Sequence, residues 1–167
     1  MKIAFFDTSC REAPRVDELF GLCDDTSNNE KAYTDIHTKE DWIAVVINKN
    51  KREITFTAID HCIVAKKKNS HDDESTCDGM LTFSENLYLA ELKKRGSGRW
   101  KKKGVSQLEN TIKLLMNNSD LKDFKFKKAY VCNSKSPNFI VIQNELKLRF
   151  FKMYGFRLHI EAIIHIN

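Results

Sequence analysis

Apolar-rich runs separated by short polar breaks predict several β-strands in the middle of the chain. Residues 77–83 (CDGMLTF) and 86–93 (NLYLAELK) are rich in apolar side chains, and only Ser84 and Glu85 lie between them. A two-residue connection between such runs is typical of a β-hairpin. Residues 42–48 and 52–60 predict another hairpin, because β-branched and aromatic residues flank a polar turn.

Helices and further strands are predicted after the hairpin of residues 77–93. Ser106 and Glu109 fit a helix-capping box, and an apolar stripe extends that helix to about Asn118. Residues 127–133 predict a strand, residues 144–154 a helix that ends at Gly155, and residues 157–166 a closing strand. On the closing strand, apolar residues alternate with polar ones, which places His159 and His165 on an exposed face.

The N-terminal part is acidic and shows weaker patterns. Apolar residues recur at helical spacing from Val16 to Cys23, which predicts a short helix near 14–23 with Pro14 in its first turn. We therefore expect one α/β (α+β) domain, with a mixed β-sheet flanked by helices. Its expected parts are an acidic N-terminal segment (1–41), a core (42–135) and a C-terminal helix and strand (136–167).

Composition supports a folded domain of 167 residues. Hydrophobic residues make up 41% of the chain and charged residues 31%, which is too apolar for a disordered protein. No apolar run approaches the roughly 18–20 residues of a membrane span, and the N-terminus lacks the pattern of a signal peptide. The sequence therefore predicts a cytoplasmic protein that does not enter a membrane.

The cysteines are expected to be reduced. There are five, without a CxxC pair, and an odd number cannot all pair within one chain. Buried, inert thiols are the favoured interpretation. A zinc site remains an alternative with irregular ligand spacing, from His61, Cys62, His71 and Cys77.

Charge is divided unevenly along the chain. Residues 1–90 contain 11 Lys and Arg against 17 Asp and Glu, whereas residues 91–167 contain 17 against 6. The basic half could meet a polyanion such as nucleic acid. Solvated charged faces are common, so this asymmetry favours nucleic acid only modestly.

Asp78, Glu91 and Lys93 form the most informative constellation. If Ser84 and Glu85 form a two-residue turn, Asp78 lies opposite Glu91, and Lys93 shares their face of the sheet. Burying two carboxylates is costly unless a cation offsets their charge. Two carboxylates with waters and phosphate oxygens are a ligand set that Mg²⁺ prefers. Lys93 would then orient or deprotonate the attacking water, or stabilise developing charge.

This segment resembles the PD-(D/E)xK superfamily of restriction-endonuclease-like nucleases and Holliday-junction resolvases over roughly residues 50–135. Asp78 matches the motif aspartate, Glu91 and Lys93 match the E-x-K of the next strand, and Gln107 matches a helix glutamine beside the metal site. The resemblance implies a nuclease with Asp78 and Glu91 as ligands of Mg²⁺ or Mn²⁺. It also implies catalytic roles for Asp78, Glu91, Lys93 and Gln107.

The chain departs from the superfamily pattern in two places. Cys77 replaces the usual proline before the aspartate, and the acidic residue that many members carry on an N-terminal helix has no clear match. Glu18 is a weak candidate for that acid and Glu12 a weaker one. Asp60 could supply an extra ligand, although capping of a turn by its side chain is the favoured interpretation.

A basic segment beside the motif is expected to contact phosphates without reading base sequence. Its cations are Lys94, Arg95, Arg99, Lys101, Lys102 and Lys103. Trp100 among them would either stack on an unpaired base or pack onto the domain.

Two classes of function follow from these patterns. The leading hypothesis is metal-dependent hydrolysis of phosphodiester bonds in nucleic acid, with DNA as the expected substrate. The alternative is a nuclease-like fold that binds nucleic acid or a protein without cleaving it. A purely structural interpretation instead makes Glu91 and Lys93 ordinary outward residues on an exposed strand face. Because the chain has no separate recognition domain, we expect it to act as a homodimer, with a protein partner or with little sequence preference.

Overall fold

In the computed structural model, which describes residues 2–25, 27–138, 140–141 and 143–167, two mixed β-sheets and two α-helices form a mixed α/β fold. The strands are β1 (Leu19–Cys23), β2 (Tyr33–Asp35), β3 (Ala44–Ile47), β4 (Thr55–Ala58), β5 (Gly79–Phe83), β6 (Asn86–Lys93), β7 (Phe126–Asn133), β8 (Arg157–Ile160) and β9 (Ile163–His165). The helices are α1 (Trp100–Asn118) and α2 (Asn144–Tyr154), with a 3₁₀ turn at Lys39–Asp41.

The larger sheet has the strand order β4-β5-β6-β7-β8, and the smaller one has the order β2-β1-β3-β9. Strands β6, β7 and β8 are parallel, so their carboxyl ends meet at one edge of the larger sheet. Helices α1 and α2 follow β6 and β7 and cover one face of this sheet. The smaller sheet covers the other face, which gives three layers.

Alternation along β6 explains how one strand serves two cores. Leu87 and Leu89 are fully buried against the helices, whereas Tyr88, Ala90 and Leu92 belong to the cluster shared with the smaller sheet. Because successive side chains of a strand point to opposite faces, a strand covered on both sides is apolar at nearly every position. Glu91, a charged residue within β6, is therefore buried.

The predicted helix near 14–23 is wrong, because residues 19–23 form β1. This segment pairs antiparallel with β3 and with β2, and those backbone bonds outweigh a weak helical spacing. Val16 is 53% exposed, so the proposed apolar face is not a core face. Gly21 permits this packing, because a Cβ there would lie 2.0 Å from Trp42 Cγ.

Two other predicted elements are divided between the sheets. The segments 42–48 and 52–60 do not form a hairpin, since β3 pairs with β1 and β9 while β4 pairs with β5. The predicted closing strand breaks after Ile160, so that β8 joins the larger sheet and β9 the smaller one. Its apolar face is confirmed as buried, and His165 is exposed.

His159, predicted to be exposed, is instead half-buried. Its ring stacks on Tyr130 with centroids 4.8 Å apart, and burial lowers its pKa to about 4. The β5–β6 hairpin, β7 and α2 are confirmed close to their predicted limits. Helix α1 ends at Asn118 as predicted but begins at Trp100, so Ser106 and Glu109 lie inside it and do not cap it.

The prediction that all cysteines are reduced is wrong for Cys10 and Cys62, which form a disulfide bond. Cys23, Cys77 and Cys132 are free and buried, as expected. The zinc alternative loses its Cys62 thiolate to this bond, and Cys77 is fully buried. Among the described helices, none combines the length and apolar composition needed to cross a membrane.

Gly155 ends α2 in the left-handed conformation, with φ at +72°, and its N–H donates to the Phe151 carbonyl at 2.7 Å. Gly155→Ala should destabilise the protein by about 1 kcal/mol, because a Cβ disfavours this backbone conformation. The melting temperature should fall by about 2–4 °C. Gly96→Ala is the control, since nothing lies within 4 Å of a Cβ built there. Equal melting of the two variants would contradict the assigned role of Gly155.

Candidate active site

The hairpin register places Asp78 and Glu91 opposite each other. Phe83 pairs with Asn86 and Gly79 pairs with Ala90, which confirms the two-residue turn. One pair further along, Asp78 faces Glu91 across the two strands. Both side chains point to the face of the sheet that α1 covers, as do the buried Met80 and Leu89.

Helix α1 anchors the segment that leads into Asp78. The Cys77 N–H donates to Thr111 Oγ1 at 2.7 Å, and Gln107 Nε2 donates to the Thr76 carbonyl at 3.2 Å. Thr111 Oγ1 in turn donates to the Gln107 carbonyl at 2.8 Å. The position of Asp78 therefore depends on the docking of α1 as well as on the hairpin.

All four residues predicted for catalysis meet at this place. Lys93 Nζ lies 2.6 Å from Glu91 Oε1 and donates to Gln107 Oε1 at 2.8 Å. Asp78 Oδ2 accepts the Leu92 N–H at 2.6 Å. The cluster thus contains two carboxylates, one ammonium and one amide, fixed by bonds between β5, β6 and α1.

Burial perturbs both carboxylates. Asp78 is 6% exposed and Glu91 is 2% exposed. Desolvation, together with the nearby Glu91 charge, raises the pKa of Asp78 well above its usual range. Desolvation raises the pKa of Glu91 to about 7, although the ion pair with Lys93 opposes that rise. Glu91 Oε2 is buried and has no hydrogen-bond partner among the described residues.

Asp24, directly after β1, lies close enough for its charge to act on the site, and it was not identified from the sequence. It is 7% exposed, and burial followed by the Asp60 charge raises its pKa. Its own charge contributes to the raised pKa values of Asp78 and Glu91. Recognition of β1 as a strand would have placed Asp24 at a strand end, but the predicted helix concealed it.

Asp60, which the sequence offered as a possible ligand, contributes to the same electrostatic environment. Its charge raises the pKa of Asp24, Asp78 and Glu91. Its Oδ1 accepts the Thr76 hydroxyl at 3.4 Å, and its Oδ2 lies 3.3 Å from His61 Nε2. A role for Asp60 as an extra ligand stays a prediction.

The two N-terminal acids considered from the sequence are engaged elsewhere. Glu12 accepts hydrogen bonds from the Thr34 N–H at 3.0 Å and the Thr34 hydroxyl at 2.6 Å. Glu18 is exposed and lies 3.3 Å from Lys51 Nζ. Neither residue lies on a helix, and Asp24 is the N-terminal acid whose charge acts on the site.

Asp78 and Glu91 are the two side chains suited to hold a divalent cation. Over the described ranges, no three His, Cys, Asp or Glu side chains form a group that could hold a metal ion. Mg²⁺ is commonly bound through one or two carboxylates, with waters and substrate oxygens supplying the other ligands. The unpartnered Glu91 Oε2 fits such an ion, because it is a buried acceptor that Lys93, bound to Oε1, does not satisfy.

The basic segment leads from β6 into α1. Its six cations are all exposed, whereas Trp100 is 6% exposed and packs in the core beneath the helices. Packing of Trp100 onto the domain is therefore confirmed, and stacking on a base is not supported. Asn133, at the end of β7, fixes the segment: its Nδ2 donates to the Arg95 carbonyl at 2.6 Å.

The chain matches no family model, no curated protein and no solved structure among those compared with it. Its β4-β5-β6-α1-β7 order is similar to the β-β-β-α-β part of the α-β-β-β-α-β core that the resemblance implies, although no α-helix precedes β4 in the described part of the chain. Membership of the superfamily therefore stays a proposal, which rests on the motif residues and their geometry.

The raised pKa of Glu91 predicts how the stability of the metal-free protein depends on pH. Between pH 4.5, the ordinary pKa of a glutamate side chain, and about 7, the folded state binds more protons than the unfolded state, so stability falls as pH rises. Asp78, with its raised pKa, acts in the same direction. Glu91→Gln removes the Glu91 contribution because Gln does not titrate.

Thermal melting in EDTA from pH 5 to 8 tests this dependence. The melting temperature of the wild type should fall relative to that of Glu91→Gln by several degrees over this range. Glu85→Gln, at the exposed hairpin turn, is the control and should follow the wild type. Parallel curves for wild type and Glu91→Gln would show that Glu91 ionises normally.

Proposed function

We propose that this protein is a PD-(D/E)xK-type nuclease that hydrolyses phosphodiester bonds of nucleic acid, with DNA as the substrate and Mg²⁺ or Mn²⁺ as the cofactor. The observation that supports this most is the buried Glu91 Oε2, which has no donor and lies on the sheet face shared with Asp78. An inert core would more readily contain apolar residues at these two positions. The exposed cations of residues 94–103 supply a surface for phosphates.

Each residue of the cluster has a distinct part in this proposal. Asp78 and Glu91 would hold the cation, which supplies charge neutralisation and Lewis-acid polarisation of the scissile phosphate. Lys93 stands 2.6 Å from Glu91 and would orient the attacking water or stabilise developing charge. Gln107 restrains Lys93 through its 2.8 Å bond. Asp24 and Asp60 add negative potential that favours a cation.

The alternative is a nuclease-like fold that binds nucleic acid or a protein without cleavage. The direct pair between Glu91 and Lys93 favours it, since a buried ion pair can be purely structural. The lack of a helix before β1 in the described residues also favours it. Activity on RNA belongs to the same catalytic hypothesis and is separated from it only by the choice of substrate.

We also propose a cytoplasmic location and action as a homodimer or with a protein partner. The Cys10–Cys62 disulfide opposes a cytoplasmic location, because the cytosol keeps most thiols reduced. Alkylation of free thiols in intact cells, followed by mass analysis, separates the two possibilities. Five reactive thiols after denaturation would support the cytosol, and three would contradict it.

Substitutions should separate cleavage from binding. Glu91→Gln and Lys93→Ala should each reduce cleavage by a factor of 10² or more while the protein stays folded, because both groups act at the reacting phosphate. Charge removal at Lys101, Lys102 and Lys103 should instead weaken binding and make its salt dependence shallower. The measurement is cleavage of labelled single-stranded, duplex and branched DNA and of RNA, with Mg²⁺, Mn²⁺ or EDTA.

Glu85→Gln is the matched control for this assay and should cleave like the wild type. A preparation free of host nuclease is required, and it is checked with a mock preparation from host cells that lack the protein. Cleavage by Glu91→Gln at the rate of the wild type would favour the non-catalytic alternative.

Divalent cations should stabilise the metal-free protein through Asp78 and Glu91. A ligand that binds only the folded state stabilises it by RT ln(1 + [L]/Kd). For a water-rich site without substrate, we expect on the order of 1 kcal/mol at millimolar Mg²⁺, and more with Mn²⁺. That corresponds to a rise of about 2–4 °C in melting temperature.

Asp78→Asn should abolish this rise. Asn keeps an oxygen that can accept the Leu92 N–H, so the fold should persist, and its metal-free form should melt at or above the wild type because the repulsion is removed. An equal shift by Mn²⁺ in wild type and Asp78→Asn would place the cation elsewhere.

A further inference from the structure

A groove of about 810 Å³ lies between α1 and α2, on the side of α1 away from Thr76. Lys101, Lys102 and Arg149 contribute cations to it, opposed by the single carboxylate of Glu109. Its size falls in the range of ligand pockets, roughly 300–1,000 Å³. The catalytic proposal uses Lys101 and Lys102 as phosphate contacts but gives the rest of this groove no role.

The groove has apolar walls, which a surface that binds only phosphates would not need. Val105, Ile140, Leu146 and Ile160 line it, and Val141 at its rim is 83% exposed. Base rings can pack on apolar side chains only when they are unstacked from a neighbour. In a duplex, the outer surface is formed by phosphates and sugars, which offer little to such walls.

The groove and the candidate active site lie along the same edge of the larger sheet. Glu91 pairs with Val131, and Val131 pairs with Ile160 at the floor of the groove, on successive parallel strands. With strands about 4.8 Å apart, Glu91 and Ile160 are roughly 10 Å apart across the sheet. The carboxyl ends of parallel strands are where ligands commonly bind in α/β sheets.

Exposed cations connect the two places. Helix α1 begins between them, with Gly104 packed so closely on Val131 that a Cβ would lie 2.6 Å from Val131 Cγ1. The exposed residues Lys94, Arg95 and Arg99 precede this helix start. A polyanionic strand passing over the start of α1 would meet positive charge along its path.

We propose that this groove binds unpaired nucleotides, so that the substrate is a single strand or a duplex with a single-stranded tail. The bases would occupy the apolar walls, and Lys101, Lys102 and Arg149 would contact the phosphates. The substrate part of this inference rests on the proposed nuclease function. Binding of a single strand in the groove does not depend on cleavage.

Binding in EDTA tests the groove without cleavage. Fluorescence anisotropy of wild-type protein with labelled oligonucleotides should show single strands and tailed duplexes binding at least tenfold tighter than blunt duplexes. Arg149→Glu should weaken single-strand binding about tenfold and change blunt-duplex binding little. Lys152→Glu, an exposed change on the same helix outside the groove, is the matched control and should change either affinity less than twofold.

A second pair of variants tests the apolar rim. Val141→Asp should weaken single-strand binding, whereas Val64→Asp, at a residue 74% exposed and outside the groove, should not. Equal weakening by Arg149→Glu and Lys152→Glu, or equal effects on single strands and duplexes, would overturn the inference. A change in the oligomeric state of Arg149→Glu or Val141→Asp, measured by light scattering, together with unaltered nucleic-acid binding would also overturn the inference. The groove would then join two copies of the chain.

Cleavage assays distinguish failure of this inference from failure of the proposed function. Single-strand binding that depends on Arg149, without metal-dependent cleavage of any substrate, would retain the groove and remove the nuclease function. The opposite result is cleavage that depends on Glu91, acts equally on blunt duplexes and single strands, and is unchanged in Arg149→Glu. That result would support the nuclease function and overturn single-strand binding in the groove.

Discussion

Burial of Asp78 and Glu91 on one face of the larger sheet is the constraint on which the other features of the site depend. Two carboxylates excluded from water repel each other, and a single ammonium, Lys93, offsets only one charge. The folded protein therefore favours a bound proton or a bound cation here. If Asp78 and Glu91 were purely structural, the free-energy cost of burying two carboxylates would serve no function, since apolar residues of similar size would pack there without that cost.

Helix α1 links this site to the rest of the fold. Its apolar stripe packs on the sheet through Leu108 and Ile112, while polar residues on one flank hold the segment that precedes Asp78. Those residues are Gln107, Asn110 and Thr111. Because the same helix restrains Lys93 through Gln107, a displacement of α1 would shift both the segment that leads into Asp78 and the Lys93 ammonium beside Glu91.

The parts of this arrangement that could be predicted are those fixed by local chemistry. The two-residue turn at Ser84 and Glu85 determines the β5–β6 register, so the opposition of Asp78 and Glu91 follows from spacing alone. Gly155 marks the end of α2 because glycine adopts the left-handed conformation there, which depends on residue type and not on distant contacts. Pairing between distant segments was not predictable, because apolar strands of similar composition, such as β3 and β4, do not reveal which sheet each joins.

Asp24 was not predicted as part of the site because its position depends on such a pairing between distant segments. Asp24 contributes charge to the site only because β1 pairs with β3 in the smaller sheet, a contact between residues about 25 positions apart in the chain. The superfamily resemblance directed attention to a helix for this acid, whereas here a strand end supplies it. The smaller sheet therefore does more than cover the larger one, since Asp24 directly follows its strand β1 and its negative charge acts on Asp78 and Glu91.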